Sequence, residues 1–152
     1  MLTPKRYLSY QSLKIPLYSS AVSAGFPSPA EDDIEAYLNL NQLVIKNPPA
    51  TFFVRAAGDS MNGVGIFDGD ILVVDRSIPP REDRVVIAAI DGDLLVKVFR
   101  EYGDKVYLLA ANRGYPTLAL SKEREIIFWG AVTTVVHPLT RSLIRKSLIN
   151  TA

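Results

Sequence analysis

From Thr51 to Val136 the chain alternates short β-branched and aromatic runs with clusters of turn residues, and this rhythm constrains its fold more than any other feature. The runs are Thr51 to Ala56, Ile71 to Asp75, Val85 to Ile90, Leu94 to Arg100, Lys105 to Ala110 and Glu125 to Val136. Between them lie Asp68-Gly69-Asp70, Pro79-Pro80, Asp91-Gly92-Asp93 and Tyr102-Gly103-Asp104. Asp91-Gly92 and Gly103-Asp104 sit where tight hairpin turns need positive φ. Several short strands at this spacing predict an antiparallel, partly closed sheet system rather than βαβ units.

The segment ahead of this region reads differently. Ser28-Pro29-Ala30-Glu31 combines a capping residue, a proline at the first helical position and a glutamate three residues after the cap, the pattern of a capping box. A short helix is expected from there to about Leu40, with Ile34, Tyr37 and Leu38 at helical spacing, before Asn47-Pro48-Pro49 breaks the chain. The stretch through Ala24 has neither a helical nor an alternating period and reads as a mobile arm. Ser9, Gln11, Ser12, Lys14, Pro16, Ser19 and Ser20 interrupt it, so it lacks the apolar core of a signal peptide. No run approaches the roughly 20 apolar residues of a membrane span. The expectation is a soluble, cytoplasmic protein: one globular domain with a modest appendage. At the other end, Leu143, Ile144, Leu148 and Ile149 lie among Arg141, Arg145 and Lys146, which suits a short amphipathic helix or a frayed tail.

Composition narrows the chemistry. Among 152 residues there is no cysteine and one histidine, so thiol nucleophiles, disulfide frameworks and Cys- or His-rich metal sites are excluded. Seventeen basic against sixteen acidic residues give a net charge of +1, with no global footprint for nucleic acid. Catalytic chemistry in such a chain would fall to hydroxyls, carboxylates and lysine. His137, ahead of Pro138 at the end of a run and without a carboxylate nearby in sequence, reads as a structural or surface residue.

Lys97 breaks its local pattern. In Leu94-Leu95-Val96-Lys97-Val98-Phe99-Arg100, alternation puts it on one face with Leu95 and Phe99, surrounded by apolar side chains. Burial there would depress its pKa and yield a neutral amine able to take a proton near neutral pH. The alternative is a lysine whose stem lies along the sheet while its head reaches water. Gly58-Asp59-Ser60-Met61-Asn62-Gly63 is the second feature. A Gly-flanked turn after a strand presents one serine, and its main-chain N–H groups could converge on the oxygen of a tetrahedral intermediate. Read alone, the same residues also make an ordinary polar turn. Together Ser60 and Lys97 would form a Ser-Lys dyad.

Four motifs in order, Ala24-Gly25, Gly58-Asp59-Ser60-Met61, Asp68-Gly69-Asp70 with Val73-Val74-Asp75, and Val96-Lys97-Val98, resemble the self-cleaving UmuD family, relatives of the LexA repressor. Gly25-Phe26-Pro27-Ser28-Pro29-Ala30 and Leu40-Asn41-Gln42-Leu43 are especially close to UmuD proteins. The resemblance spans roughly Val22 to Val136.

It implies a mainly β, LexA/UmuD-like (signal-peptidase-like) fold with one short N-terminal helix and a mobile arm. Residues 1–24 would be an arm removed by self-cleavage, 25–138 a Ser-Lys peptidase-like β domain and 139–152 a tail. Ser60 would be the nucleophile, Lys97 the general base and Ala24-Gly25 the scissile bond, with the N–H groups of Ser60 and Asp59 as the oxyanion hole. About thirty-five residues separate Gly25 from Ser60, ample reach at roughly 3.3 Å per extended residue. The resemblance further implies stimulation by a RecA filament on single-stranded DNA. The shortened homodimer would serve a UmuC-type translesion polymerase in SOS mutagenesis, with no cofactor, metal, membrane or sequence-specific DNA contact. The tail from Arg141 extends past the family's usual end.

Three rival readings remain. The sheet domain could act as a non-catalytic, dimeric polymerase adaptor. A signal-peptidase-like enzyme also uses a Ser-Lys dyad, but a membrane anchor is missing here. A LexA-type repressor needs a DNA-binding domain, for which the 24 residues before Gly25 are too few.

Overall fold

The computed structural model describes residues 13–19 and 34–140. Ala24-Gly25, the Ser28–Glu31 capping box and the tail from Arg141 lie outside the described residues. The chain divides into two compact units, Met1–Lys46 and Asn47–Ala152.

In the first unit β1 (Ile15–Tyr18) pairs antiparallel with β2 (Ile34–Leu38), Ile15 opposite Leu38. This corrects two expectations. Ile34, Tyr37 and Leu38 belong to a strand rather than a helix: Ile34, Ala36 and Leu38 are half-buried while Glu35 and Tyr37 are exposed, a period of two. Ile15 to Tyr18 are likewise ordered by pairing, although they lie within the stretch read as an unpatterned arm. The short helix, α1 (Leu40–Val44), starts just after β2. Asn39 caps it, its side-chain oxygen accepting the N–H groups of Asn41 at 3.0 Å and Gln42 at 3.4 Å.

The second unit holds a seven-stranded, wholly antiparallel sheet built from β3 (Thr51–Arg55), β4 (Ile71–Asp75), β5 (Val85–Ile90), β6 (Asp93–Tyr102), β7 (Lys105–Leu109), β8 (Leu118–Ser121) and β9 (Ile127–Val136). Their spatial order is β3-β4-β9-β5-β6-β7-β8. The mainly β, antiparallel architecture read from the sequence is therefore borne out. All six expected runs became strands, and the hairpin turns fall at Asp91-Gly92 (φ +51° and +86°) and at Gly103 (φ +61°).

Two cores lie on opposite faces of β5. Val86, Ala88 and Ile90 pack with Phe99, Val106, Leu108 and Leu120, whereas Ile87 packs with Ala56, Met61, Ile66, Leu72 and Val74. A strand buried on both faces must be apolar throughout, which is why Val85 to Ile90 carries no polar residue. Each fully buried aliphatic side chain contributes about 1.5–3 kcal/mol.

Two irregularities bend β9 between its neighbours. Against β4 the register passes from Thr134 to Val132, and against β5 from Gly130 to Phe128. β6 also changes partners along its length. Asp93 to Val98 pairs with β5, while only Val98 to Tyr102 pairs with β7. Lys97 thus lies where β7 leaves the sheet.

Candidate active site

Ser60 sits in a turn held by two neighbouring segments and by the core. Gly58, with φ +79°, takes a left-handed conformation that suits glycine, and its N–H donates to Asp68 Oδ1 at 2.8 Å. The backbone of the Asp68-Gly69-Asp70 turn clasps the end of β3, Ala56 N–H donating to the Asp70 carbonyl and Gly69 N–H to the Ala56 carbonyl, each at 2.8 Å. Met61, 2% exposed, anchors the turn in the core immediately after the serine. Opposite, Gly63 N–H donates to the Ala111 carbonyl at 2.7 Å, and a Cβ on Gly63 would lie 2.4 Å from that oxygen.

The segment after β7 completes the enclosure. Asn112 Nδ2 donates to the Asp59 carbonyl at 2.9 Å, and the Tyr115 hydroxyl donates to Asp59 Oδ1. Nothing in local pattern linked Asn112 or Tyr115 to the serine, because these contacts span 53 and 56 residues.

Lys97 Nζ lies 3.3 Å from Ser60 Oγ. The structure brings together the two residues singled out in the sequence, 37 positions apart. They line one cleft of about 160 Å³, with Val54, Ala56, Leu72, Ile87 and Leu95 in its walls. Burial pushes the Lys97 ammonium below the ordinary lysine range, since desolvation disfavours the charged form. The Tyr115 hydroxyl is pushed up instead, first by its hydrogen bond to Asp59 and then by repulsion from that carboxylate, so it stays a donor. Its ring face lies 5.7 Å from Lys97 Nζ. A hydroxyl within hydrogen-bond reach of a partly desolvated amine is the geometry of a nucleophile and its base.

His137 stands apart from this cleft. Its Nδ1 meets Oδ1 of Asp70 at 2.5 Å and its ring lies 5.2 Å from that of Phe67. The histidine does have a carboxylate partner, brought from 67 residues away.

Comparison with known proteins decides the family. The Peptidase S24-like family matches residues 16–133. The chain belongs to the peptidase S24-like family. It is 44% identical over 127 residues to Protein SamA of Salmonella typhimurium, covering 84% of this chain and 87% of that one. It is 52% identical over 128 residues to Protein ImpA of Escherichia coli, covering 80% and 83% respectively. LexA repressor 1 of Pseudomonas putida is 38% identical over 117 residues, but these span 76% of this chain and only 57% of the repressor. The resemblance to UmuD-like and LexA-like proteins drawn from the motifs is borne out. Among the described residues no helix is long and apolar enough to cross a membrane.

Proposed function

We propose that this S24-family chain is a self-cleaving serine peptidase of SOS mutagenesis that cuts its own Ala24-Gly25 bond with a Ser60-Lys97 dyad. The observation that carries the reading is the 3.3 Å approach of Lys97 Nζ to Ser60 Oγ in an apolar cleft. Neutral Lys97 takes the hydroxyl proton as Oγ attacks the Ala24 carbonyl carbon, and the main-chain N–H groups of Ser60 and Asp59 receive the developing oxyanion. The Lys97 ammonium then protonates the departing Gly25 nitrogen, leaving an ester between Ala24 and Ser60. Water, deprotonated by Lys97, hydrolyses that ester and restores the hydroxyl. A small residue at position 24 suits a cleft walled by Ala56 and Leu95.

In this reading residues 1–24 are the arm removed, 25–138 the peptidase-like domain and 139–152 a tail. The resemblance to UmuD-type proteins supplies the setting: a cytoplasmic homodimer, stimulated by a RecA filament on single-stranded DNA, whose shortened form serves a UmuC-type translesion polymerase without reading a DNA sequence itself. The test is a timed incubation of the purified chain with and without RecA filaments, followed by N-terminal sequencing. Faster appearance of a terminus at Gly25 with the filament is expected; equal rates would remove RecA from the account.

A further inference from the structure

The segment from Ala111 to Tyr115 touches the turn that carries Ser60 and also faces Lys97. Leu109 pairs with Val98, the neighbour of Lys97, and the chain then leaves the sheet and crosses to the Ser60 turn. There the Ala111 carbonyl holds Gly63, Asn112 holds the Asp59 carbonyl, and Tyr115 reaches the Asp59 carboxylate. Tyr115 also faces Lys97, its ring 5.7 Å from Nζ. One side chain therefore bears on the serine through Asp59 and on the lysine directly.

We propose that Tyr115 is a positioning residue for self-cleavage, whose hydroxyl ties down the Ser60 turn while its ring face holds the Lys97 head beside Ser60 and favours its resting, charged form. The proposal rests on the Ser-Lys reading above. A π face attracts an ammonium, and the attraction is lost when the amine becomes neutral. The ring thus opposes the desolvation that frees the amine and lowers the neutral fraction of Lys97 at a given pH. Among the described residues, the other charged groups near Lys97 are Arg55, which lines the same cleft and donates to the Gly69 carbonyl, and Asp59 behind Tyr115. On β5, the residue paired with Lys97 is Val86, which carries no charge.

Two substitutions separate the roles. Tyr115→Phe keeps the ring and deletes the hydroxyl, so the pH midpoint of cleavage should stay in place while the high-pH rate falls several-fold. Tyr115→Leu keeps apolar cover but removes the π face, so the midpoint should also drop by about 0.4 pH unit. A residue that merely stabilises the loop would lower the rate and leave the midpoint unmoved. The lysine is also read without cleavage, from the 13Cε titration of Lys97 in uncut Ser60→Ala chains with Tyr, Phe or Leu at position 115. Equal Lys97 midpoints in all three, or a midpoint displaced as far by phenylalanine as by leucine, would overturn the proposal. If the native chain cleaves at no pH, the self-cleavage reading fails, and the NMR titration still decides whether Tyr115 acts on Lys97.

Discussion

Asp70 and His137 meet through Oδ1 and Nδ1 at 2.5 Å, joining the turn beneath Ser60 to the residue that follows β9. Asp70 is 1% exposed, and its other oxygen accepts the Phe67 N–H at 2.8 Å. A buried carboxylate with two partners is part of the brace under the serine turn rather than of the chemistry.

Asp70→Ala removes a buried carboxylate and leaves the part-buried Phe67 N–H without its acceptor, and should cost about 2–3 kcal/mol of stability. His137→Ala, whose side chain is 43% exposed, should cost about 1 kcal/mol. Urea unfolding of both variants measures the difference, and equal losses would contradict the assignment of the brace to Asp70.

How far such relationships could be read in advance depended on whether the signal was local. The runs Ile71–Asp75 and Val85–Ile90 match observed strands residue for residue, because strands buried on one or both faces write long apolar runs into the chain. Ser60 and Lys97 were legible for a similar reason: one stands in a Gly-flanked turn and the other interrupts an apolar strand. Ile34, Tyr37 and Leu38 misled because Ile34 and Leu38, four apart, share a face in a strand as well as in a helix, whereas Tyr37 falls on the exposed face once β1 supplies a partner. Leu118–Ser121, four residues of modest β propensity, owes its strand to pairing with β7. Asn112, Tyr115 and the Asp70–His137 pair left no local trace, since each contact joins residues more than fifty positions apart.

Gly130 marks one bend of β9, with φ +144° and a hypothetical Cβ 2.4 Å from the Asp75 carbonyl oxygen. At Gly92, φ is +86° but nothing lies within 4 Å. Gly130→Ala should thus cost more than about 3 kcal/mol, against about 1 kcal/mol for Gly92→Ala. Thermal unfolding ranks the two, and a reversed order would remove the close approach as the reason for glycine at 130.

Lys97 should weaken the fold that it serves. Because burial lowers its pKa, the unfolded chain binds more protons between the folded and unfolded values, and stability rises with pH through that window. Lys97→Met removes the desolvated ammonium at similar volume. The variant should be at least as stable as the native chain at neutral pH and lose this part of the pH dependence, while losing cleavage. Urea midpoints across pH check it; a marked loss of stability would make Lys97 a structural residue.

The central claim is that a neutral Lys97 and the Ser60 hydroxyl cut the Ala24-Gly25 bond, and intact-mass spectrometry of the purified chain during incubation at rising pH tests it most directly. The account predicts a product running from Gly25 to Ala152, forming faster as pH rises towards the lowered pKa of Lys97 and absent from Ser60→Ala and Lys97→Ala. A native chain that stays whole throughout, or the same cut in Ser60→Ala, would contradict it.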